Sequence, residues 1–481
     1  MRLPGFVGPS ATSADFNADC ERTINLIPEV LDPSGEGRTA AKALILVPGL
    51  TERYDLSPGP VRAEFTEPTT GRAFAISGYV LYELFANGTS TNRGSVALDA
   101  NPATICANSA VGQLFISSGD VGYCYELATD TLTVVLASGS TMSRFMDGRF
   151  LSLDAATSTF YISDLNDGLT WDPTQFAQRT GAGDPWVSML VVNLDIWLVG
   201  TETAEVWYDS GAFPFPFVPR PDALVQHGTI APYSLAALGD VVIWISRNQQ
   251  GANMIVRNQG YAALKLSTLP VDLSLEQMSD TSDAVAFVYQ KNGHQFYVVN
   301  FPNGSIGWAF DASSGLWCER GYWNSVLNEW QAIRFQTHML AFGMHLVGDR
   351  LTGTVYEMRD DVATDVDGNG IRWLRRFMGV RGDDHKRVKY PRLEIVMQTG
   401  SAPLSGQGSD PLVMLRTSND SGHSWGPERT AGAGVRGDYA KRVFWTRLGT
   451  ARDRVFELTG SDPLPWRLTD CFAPGAQELL S

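Results

Sequence analysis

The sequence has little of what usually carries chemistry. Its five cysteines, Cys20, Cys106, Cys124, Cys318 and Cys471, are odd in number, far apart and form no CxxC pair. Such a set builds neither a disulfide framework nor a zinc site, so reduced, mostly buried thiols in a cytoplasmically folded protein are expected. The six histidines, His227, His294, His338, His345, His385 and His423, show no HExxH or other tight ligand spacing. His338 and His345 lie in strand-like sequence, where their spacing alone offers no shared ligand face. GxSxG, P-loop and dinucleotide fingerprints are absent. No catalytic, cofactor-binding or metal-binding residue is therefore assigned, and no enzyme activity is expected.

Long apolar runs are missing too. No stretch of eighteen apolar residues occurs, and Met1-Arg2-Leu3-Pro4-Gly5 opens no apolar signal core. Neither a membrane-spanning helix nor export by the general route is expected. Helical periodicity is scarce, with no long amphipathic segment capped at both ends.

What remains is material for strands and turns. Hydrophobic residues make up 44% of the 481 residues, charged residues only 19%, and glycine is abundant at 47. This balance buries a core and suits many short aromatic-rich strands joined by turns. Seven hairpin-like units begin near Ala73, Gln113, Arg149, Ile196, Val241, Ala286 and His338, at intervals of 36 to 52 residues. Repeats of that length, each an amphipathic sheet with an unburied face, fit the blades of a β-propeller. From about Arg372 the texture changes to strand-like runs such as RLEIVMQTG, LVMLRTSND and KRVFWTRLG. The expected fold is all-β: a propeller of about six to seven blades with a small C-terminal β-sandwich-like domain. Residues 1–56 are read as an N-terminal arm and ring-closing strand, 57–371 as the propeller and 372–481 as the C-terminal domain. In the first segment, Asn25–Glu29 and Leu44–Gly49 flank a polar loop rich in Gly and Ser.

Four local motifs need weighing. Ser418-Asn419-Asp420-Ser421-Gly422-His423-Ser424-Trp425 fits the S-x-D-x-G-x-[ST]-W Asp box of sialidases. The box is a turn, not a catalytic device: Asp and Ser satisfy amides, Gly takes positive φ, and Trp packs below. It occurs once and outside the repeats, so Gly422 and Trp425 are expected to shape a hairpin. Asp365-Val366-Asp367-Gly368-Asn369-Gly370 resembles half an EF-hand loop, but Arg376 stands where the bidentate acid belongs. A turn is expected, with a lone calcium on Asp365, Asp367 and Asn369 as the competing reading. The RGD triplets at Arg381–Asp383 and Arg436–Asp438 are read as turns. Finally, Arg372, Arg375, Arg376, Arg381, Lys386, Arg387, Lys389 and Arg392 crowd into residues 372–392. They are expected to pair with acids on a neighbouring subunit, in preference to forming a positive ring that faces DNA.

The formal net charge is −15. An acidic surface repels phosphate at long range, which disfavours a general grip on nucleic acid but suits a channel through which DNA slides.

Several stretches resemble the packaged-DNA stabilisation proteins, or tail accessory factors, of short-tailed bacteriophages. They are Pro48–Asp55 (PGLTERYD), Phe160–Gly168 (FYISDLNDG), Ala204–Tyr208 (AEVWY), Val225–Gly228 (VQHG) and Thr417–Gly422 (TSNDSG), followed by Lys441–Arg452 (KRVFWTRLGTAR). The last is the most specific, and the stretches span most of the chain in the family's order. The resemblance implies a structural virion protein of the tail, arranged as a homohexameric tube, or nozzle, below the portal and its adaptor ring. It further implies that the tube continues the DNA channel, retains packaged DNA without sequence-specific binding, and carries the tail needle or tip and the tailspike or fibre proteins. Assembly in the host bacterial cytoplasm, without membrane insertion of its own, goes with that role. No site residues carry over. The alternatives are a sialidase-like propeller hydrolase, prompted by the Asp box, and a receptor- or glycan-binding tail module.

Overall fold

A computed structural model describes residues 1–3, 5–15, 18–31, 41–179, 183–247 and 253–479. The polar loop expected at 32–40 and residues 248–252 of the fifth hairpin unit lie outside the described residues. Strands make up 53% of the chain and helix 3%.

Among the described residues, six four-stranded antiparallel sheets and four consecutive strands of a nine-stranded sheet form the seven propeller blades. The first blade is Val61–Thr66, Ala73–Ser77, Val80–Leu84 and Ser90–Ser95. Each of the seven hairpin units falls in a different blade. A helix, Leu269–Gln277, precedes the sixth blade, and the widest interval, before the seventh, accommodates a small hairpin, Tyr322–Asn324 with Glu329–Gln331.

Burial grades across each blade and explains the sequence texture. Second strands such as Ala73–Ser77, Gln113–Ser118 and Asp195–Gly200 are buried at every position. Neighbouring blades cover both of their faces, so apolar and small residues fill consecutive positions instead of alternating. Outermost strands such as Ser90–Ser95 and Thr131–Leu136 have no buried position, and the first is polar apart from one glycine.

The innermost strand of each blade touches that of the next, and Phe335–Ala341 of the seventh returns to Val61–Thr66 of the first. The seventh blade is Phe335–Ala341, Met344–Asp349, Thr354–Arg359 and, as outermost strand, Gly49–Asp55. The ring is thus sealed by chain that precedes the first blade.

The second body is a sandwich of two five-stranded layers. One layer runs Leu26–Leu31, Ala41–Leu46, Arg467–Phe472, Arg392–Met397 and Val443–Thr446. The other runs Arg22–Ile24, Trp373–Met378, Val455–Gly460, Leu412–Ser418 and Arg429–Gly432. Between them lie Leu26, Leu44, Trp373, Phe377, Leu393, Leu415, Leu458 and Leu468, all buried. The indoles of Trp373 and Trp466 meet at 5.4 Å.

The segment 1–56, expected to be an arm with a ring-closing strand, serves both bodies. Gly49–Asp55 lies in the seventh blade, whereas Arg22–Ile24, Leu26–Leu31 and Ala41–Leu46 are sandwich strands and no separate arm. The apolar stretches around Ile27 and Ile45 pair with each other, and Ala41–Leu46 pairs onward with a strand at the far end of the chain. Arg22–Ile24 also lies parallel to Leu316–Arg320, the last strand of the sixth blade, so one nine-stranded sheet runs from propeller into sandwich. Buried Asn25 pins this junction from positive φ. Its Nδ2 donates to the Gly321 and Arg372 carbonyls at 2.8 and 2.9 Å, and its Oδ1 accepts from the Gly321 N–H.

Ring closure leaves no room at Gly353. The Leu56 N–H donates to its carbonyl at 2.8 Å, and a Cβ there would lie 1.3 Å from the Leu56 carbonyl oxygen. We expect Gly353→Ala to cost about 3 kcal/mol or more and to speed proteolysis around the seam. Thermal unfolding and limited digestion of the full chain check this, and a variant indistinguishable from the parent would contradict it.

Candidate functional site

The basic run is consumed mostly inside the subunit. Arg375, fully buried, donates to the carbonyls of Gly5, Phe6, Pro9 and Arg22, to the Thr23 hydroxyl, and to the Glu21 carboxylate. Burial pushes its pKa down and that of Glu21 up, and their mutual attraction opposes both shifts. Arg376 pairs with buried Glu457 at 2.7 Å, and Arg416 binds the other oxygen of the same carboxylate. Both guanidinium groups lie over the Trp425 ring, at 4.8 and 5.5 Å. Arg372 stacks on Trp323 at 4.0 Å, and Arg392 lies 3.8 Å from the Phe444 ring centre and pairs with Glu394. Arg381 reaches Asp453, and Lys386 reaches Asp384. Exposed Arg387 and Lys389 form no ion pair among the described residues.

The expectation of partners outside the subunit therefore needs correction for Arg375, Arg376 and Arg392, because other segments of the same chain fold acids and aromatic rings onto them. Arg372 has the Trp323 ring and no ion pair among the described residues. A pattern of charges in one segment does not show where the partner acids of another will land. Arg22, Trp323, Trp330, Arg372, Arg376 and Arg416 line a cleft of about 480 Å³, in which Glu319 and Glu457 pair with three of the four guanidinium groups.

The Asp-box residues form the expected turn, linking Leu412–Ser418 to Arg429–Gly432. Asp420 accepts from Ser418 Oγ at 2.6 Å, from the Ser424 N–H at 2.9 Å and from Ser424 Oγ at 2.5 Å. These donors hold its carboxyl well below the usual range, with the Ser418 hydroxyl foremost. Gly422 has φ +99°, its N–H donates to Ser418 Oγ, and half-buried Trp425 packs beneath the two arginines. Ser418, Asp420 and Ser424 are thus committed to the turn, which accounts for the motif that prompted the hydrolase reading.

Asp365–Asn369 is likewise a turn. The Asp365 N–H donates to the Asn369 carbonyl, and Asp367 accepts from the Asn369 backbone, the Asn369 side chain and the Tyr322 hydroxyl. Burial pushes the Asp365 carboxyl up to about 6, which weakens it as a calcium ligand. Among the described residues no three His, Cys, Asp or Glu side chains form a metal-binding group. All five cysteines are free and buried, and burial pushes the thiols of Cys106, Cys124 and Cys318 up to about 12. No helix of the described residues is long and apolar enough to cross a membrane.

One juxtaposition escaped the sequence reading. His338 Nε2 and His345 Nδ1 are 3.0 Å apart, their rings stacked beside Tyr289. Strands Phe335–Ala341 and Met344–Asp349 pair with Leu340 opposite His345, which makes the two histidines diagonal neighbours on one face. The Phe342-Gly343 turn was the signal that would have revealed this. Burial, and then His345, pushes His338 down to about 3, so the pair is neutral.

Comparison with known proteins bears on both bodies. A family model described as bacteriophage P22 Gp10, beta-propeller, matches residues 3–363, and one described as bacteriophage P22 Gp10, beta-sandwich, matches residues 376–475. No curated protein matches the chain. Among solved structures, the crystal structure of the N-terminal domain of Nup159 matches at 10% identity, covering 70% of this chain and 98% of that one. Its TM-score is 0.40, too loose a likeness to carry function.

Two outcomes test the site chemistry. A Cβ at Gly422 would have space, its nearest neighbour being Trp425 at 3.7 Å, so only the backbone conformation opposes it. Gly422→Val should cost about 1–3 kcal/mol in thermal unfolding through strain. Burial raises the Glu457 pKa, but Arg376 and Arg416 more than offset this and leave it lowered. Its ion pairs therefore stabilise the fold above the ordinary carboxylate range and fade as pH falls through the depressed value. Glu457→Gln should cost about 2–4 kcal/mol at neutral pH, with the gap to wild type narrowing below about pH 4. A gap independent of pH in denaturant titrations would contradict this assignment.

Proposed function

The chain belongs to the bacteriophage P22 Gp10 family, and from that premise we propose that it is a structural subunit of a short phage tail. In this reading six copies form a nozzle below the portal and adaptor ring, continue the DNA channel, help to retain the packaged genome, and carry the needle or tip and the spikes or fibres. The subunit catalyses nothing and assembles in the host cytoplasm before entering the virion tail.

The observation that carries this reading is that the two family matches cover both bodies in order, with a single short interval between them. The physical chemistry agrees. A sealed ring joined to a sandwich by a continuous sheet makes a stiff building block, as a load-transmitting tube requires. Arg375 and Arg376, which would be prominent in a DNA clamp, are spent on Glu21 and Glu457. With a formal charge of −15 per subunit, DNA would meet net repulsion and slide.

Mass measurement and electron microscopy of assembled tails test the proposal. Six copies in a ring are expected, and a lone copy in intact particles would overturn it. On the same assemblies, DNA affinity across a salt series should be weak with a shallow slope. Tight, steeply salt-dependent binding would replace the sliding channel with a clamp.

A further inference from the structure

Charge is divided unequally along the chain. Residues 371–481 hold 17 lysines and arginines against 12 acids, whereas residues 1–370 hold 20 against 40. The C-terminal part is thus formally +5 and the remainder −20. Part of the positive excess is exposed on a small sheet beside the sandwich, made of Thr450–Ala451, Val388–Lys389 and Gln477–Glu478. Buried Val388 and Ala451 stand opposite each other and anchor it, and Arg387, Lys389 and Arg452 flank them, exposed. The pairing continues to exposed Arg447, whose N–H donates to the Pro391 carbonyl at 2.8 Å. None of these four cations forms an ion pair among the described residues. Of the acids nearby, Asp453 is held by Arg381 and His385 and Asp384 by Lys386, which leaves Asp383 and Glu478.

A complementary surface lies across the ring, on the blades remote from the sixth and seventh, which adjoin the sandwich. The third blade is Met142–Met146, Arg149–Asp154, Thr159–Asp164 and Asp167–Gln178. The fourth is Trp186–Val192, Asp195–Gly200, Ala204–Asp209 and Phe217–Val225. In an antiparallel blade the turn between the first and second strands and that between the third and fourth emerge on the same face. On these two blades that face carries Asp147, Asp164, Asp167 and Asp209, none in an ion pair among the described residues. Nearby Arg149 is turned to the Ser163 carbonyl, and Arg220 is paired with Asp195. The same turns expose large apolar side chains: Leu165 is 60% exposed, Leu194 63% and Phe213 94%.

We infer that the basic surface around Arg387, Lys389, Arg447 and Arg452 docks on the acidic and apolar turns of the third and fourth blades of a second copy of this chain. The inference rests on the reading of the chain as a ring-forming tail subunit. Unpaired cations on one face and unpaired carboxylates on the other steer two copies head to tail. Leu165, Leu194 and Phe213 supply apolar area that the charges lack, as an interface with a polar rim requires. Double-stranded DNA would fit the basic surface but leaves the exposed apolar turns without a role. The two faces differ and lie on opposite sides of the subunit, so each copy offers one and accepts the other. Such a heterologous contact repeats from copy to copy and closes into a ring where the rotation allows.

Two charge-reversed full-length chains test this by sedimentation. One carries Arg387→Glu, Lys389→Glu and Arg452→Glu, and the other Asp147→Lys, Asp164→Lys and Asp209→Lys. Each alone should self-associate about a hundredfold more weakly than wild type, because like charges then face each other. An equimolar mixture should regain association with the two chains alternating, and salt should weaken wild type and mixture alike. Thermal unfolding close to wild type is the control that both chains are folded. Phe213→Ser, whose ring is already in water, should weaken association without lowering Tm. A mixture no better associated than its components would overturn the contact, as would reversed chains that associate like wild type but lose affinity for DNA. On assembled tails, carbodiimide should join Lys389 of one copy to the peptide that holds Asp164 or Asp209 of the next. Several copies per tail with Lys389 joined only elsewhere would overturn these faces and spare the ring, whereas a lone copy would overturn the ring reading itself.

Discussion

Backbone pairing between Gly49–Asp55 and Thr354–Arg359 holds the molecule in its shape. A propeller blade is stable only while both of its faces are covered, so a ring left open exposes two apolar faces and a free strand edge. Here the ladder joins chain from before the first blade to chain in the last. Every blade between them is held by a contact whose ends are almost the whole propeller apart in sequence. Gly353 and Leu56 sit where this ladder ends, with no space for a side chain. The seam thus concentrates the entropic cost of ring closure in one strand pair and a steric lock.

The same seam dictates the sandwich. Once the N-terminal segment must reach the seventh blade, the residues preceding it are delivered beside the chain that leaves that blade. Arg22–Ile24, Leu26–Leu31 and Ala41–Leu46 therefore combine with C-terminal strands into two layers that neither end of the chain could form alone. Arg375 binds the backbone of the N-terminal segment through four carbonyls, and Asn25 joins three segments at one point. These buried polar contacts position the two bodies relative to each other, a role that apolar packing, being non-directional, fills poorly.

Charge is distributed with the same economy. The chain is strongly acidic, yet its densest basic run is turned inward onto Glu21, Glu394 and Glu457 and onto the rings of Trp323, Trp425 and Phe444. The exposed remainder of the run is small. This leaves a chain of formal charge −15 whose acidic excess is not balanced by that run.

The sequence by itself determined whatever depends on neighbours along the chain. Each of the seven hairpin units is local, so period-two patterning and turn residues were enough to mark seven blades. The Asp-box hairpin and the Asp365–Asn369 turn were legible for the same reason, since their hydrogen bonds close within a few residues. What only the tertiary structure decided depends on partners far apart in sequence: the N-terminal strands inside the sandwich, and Glu457 between Arg376 and Arg416. The His338–His345 pair belongs between these cases, being local but dependent on hairpin register. A strand's pattern shows that it has a face to bury and charges to satisfy, but the identity of the partner is set by ring closure, which no single segment encodes.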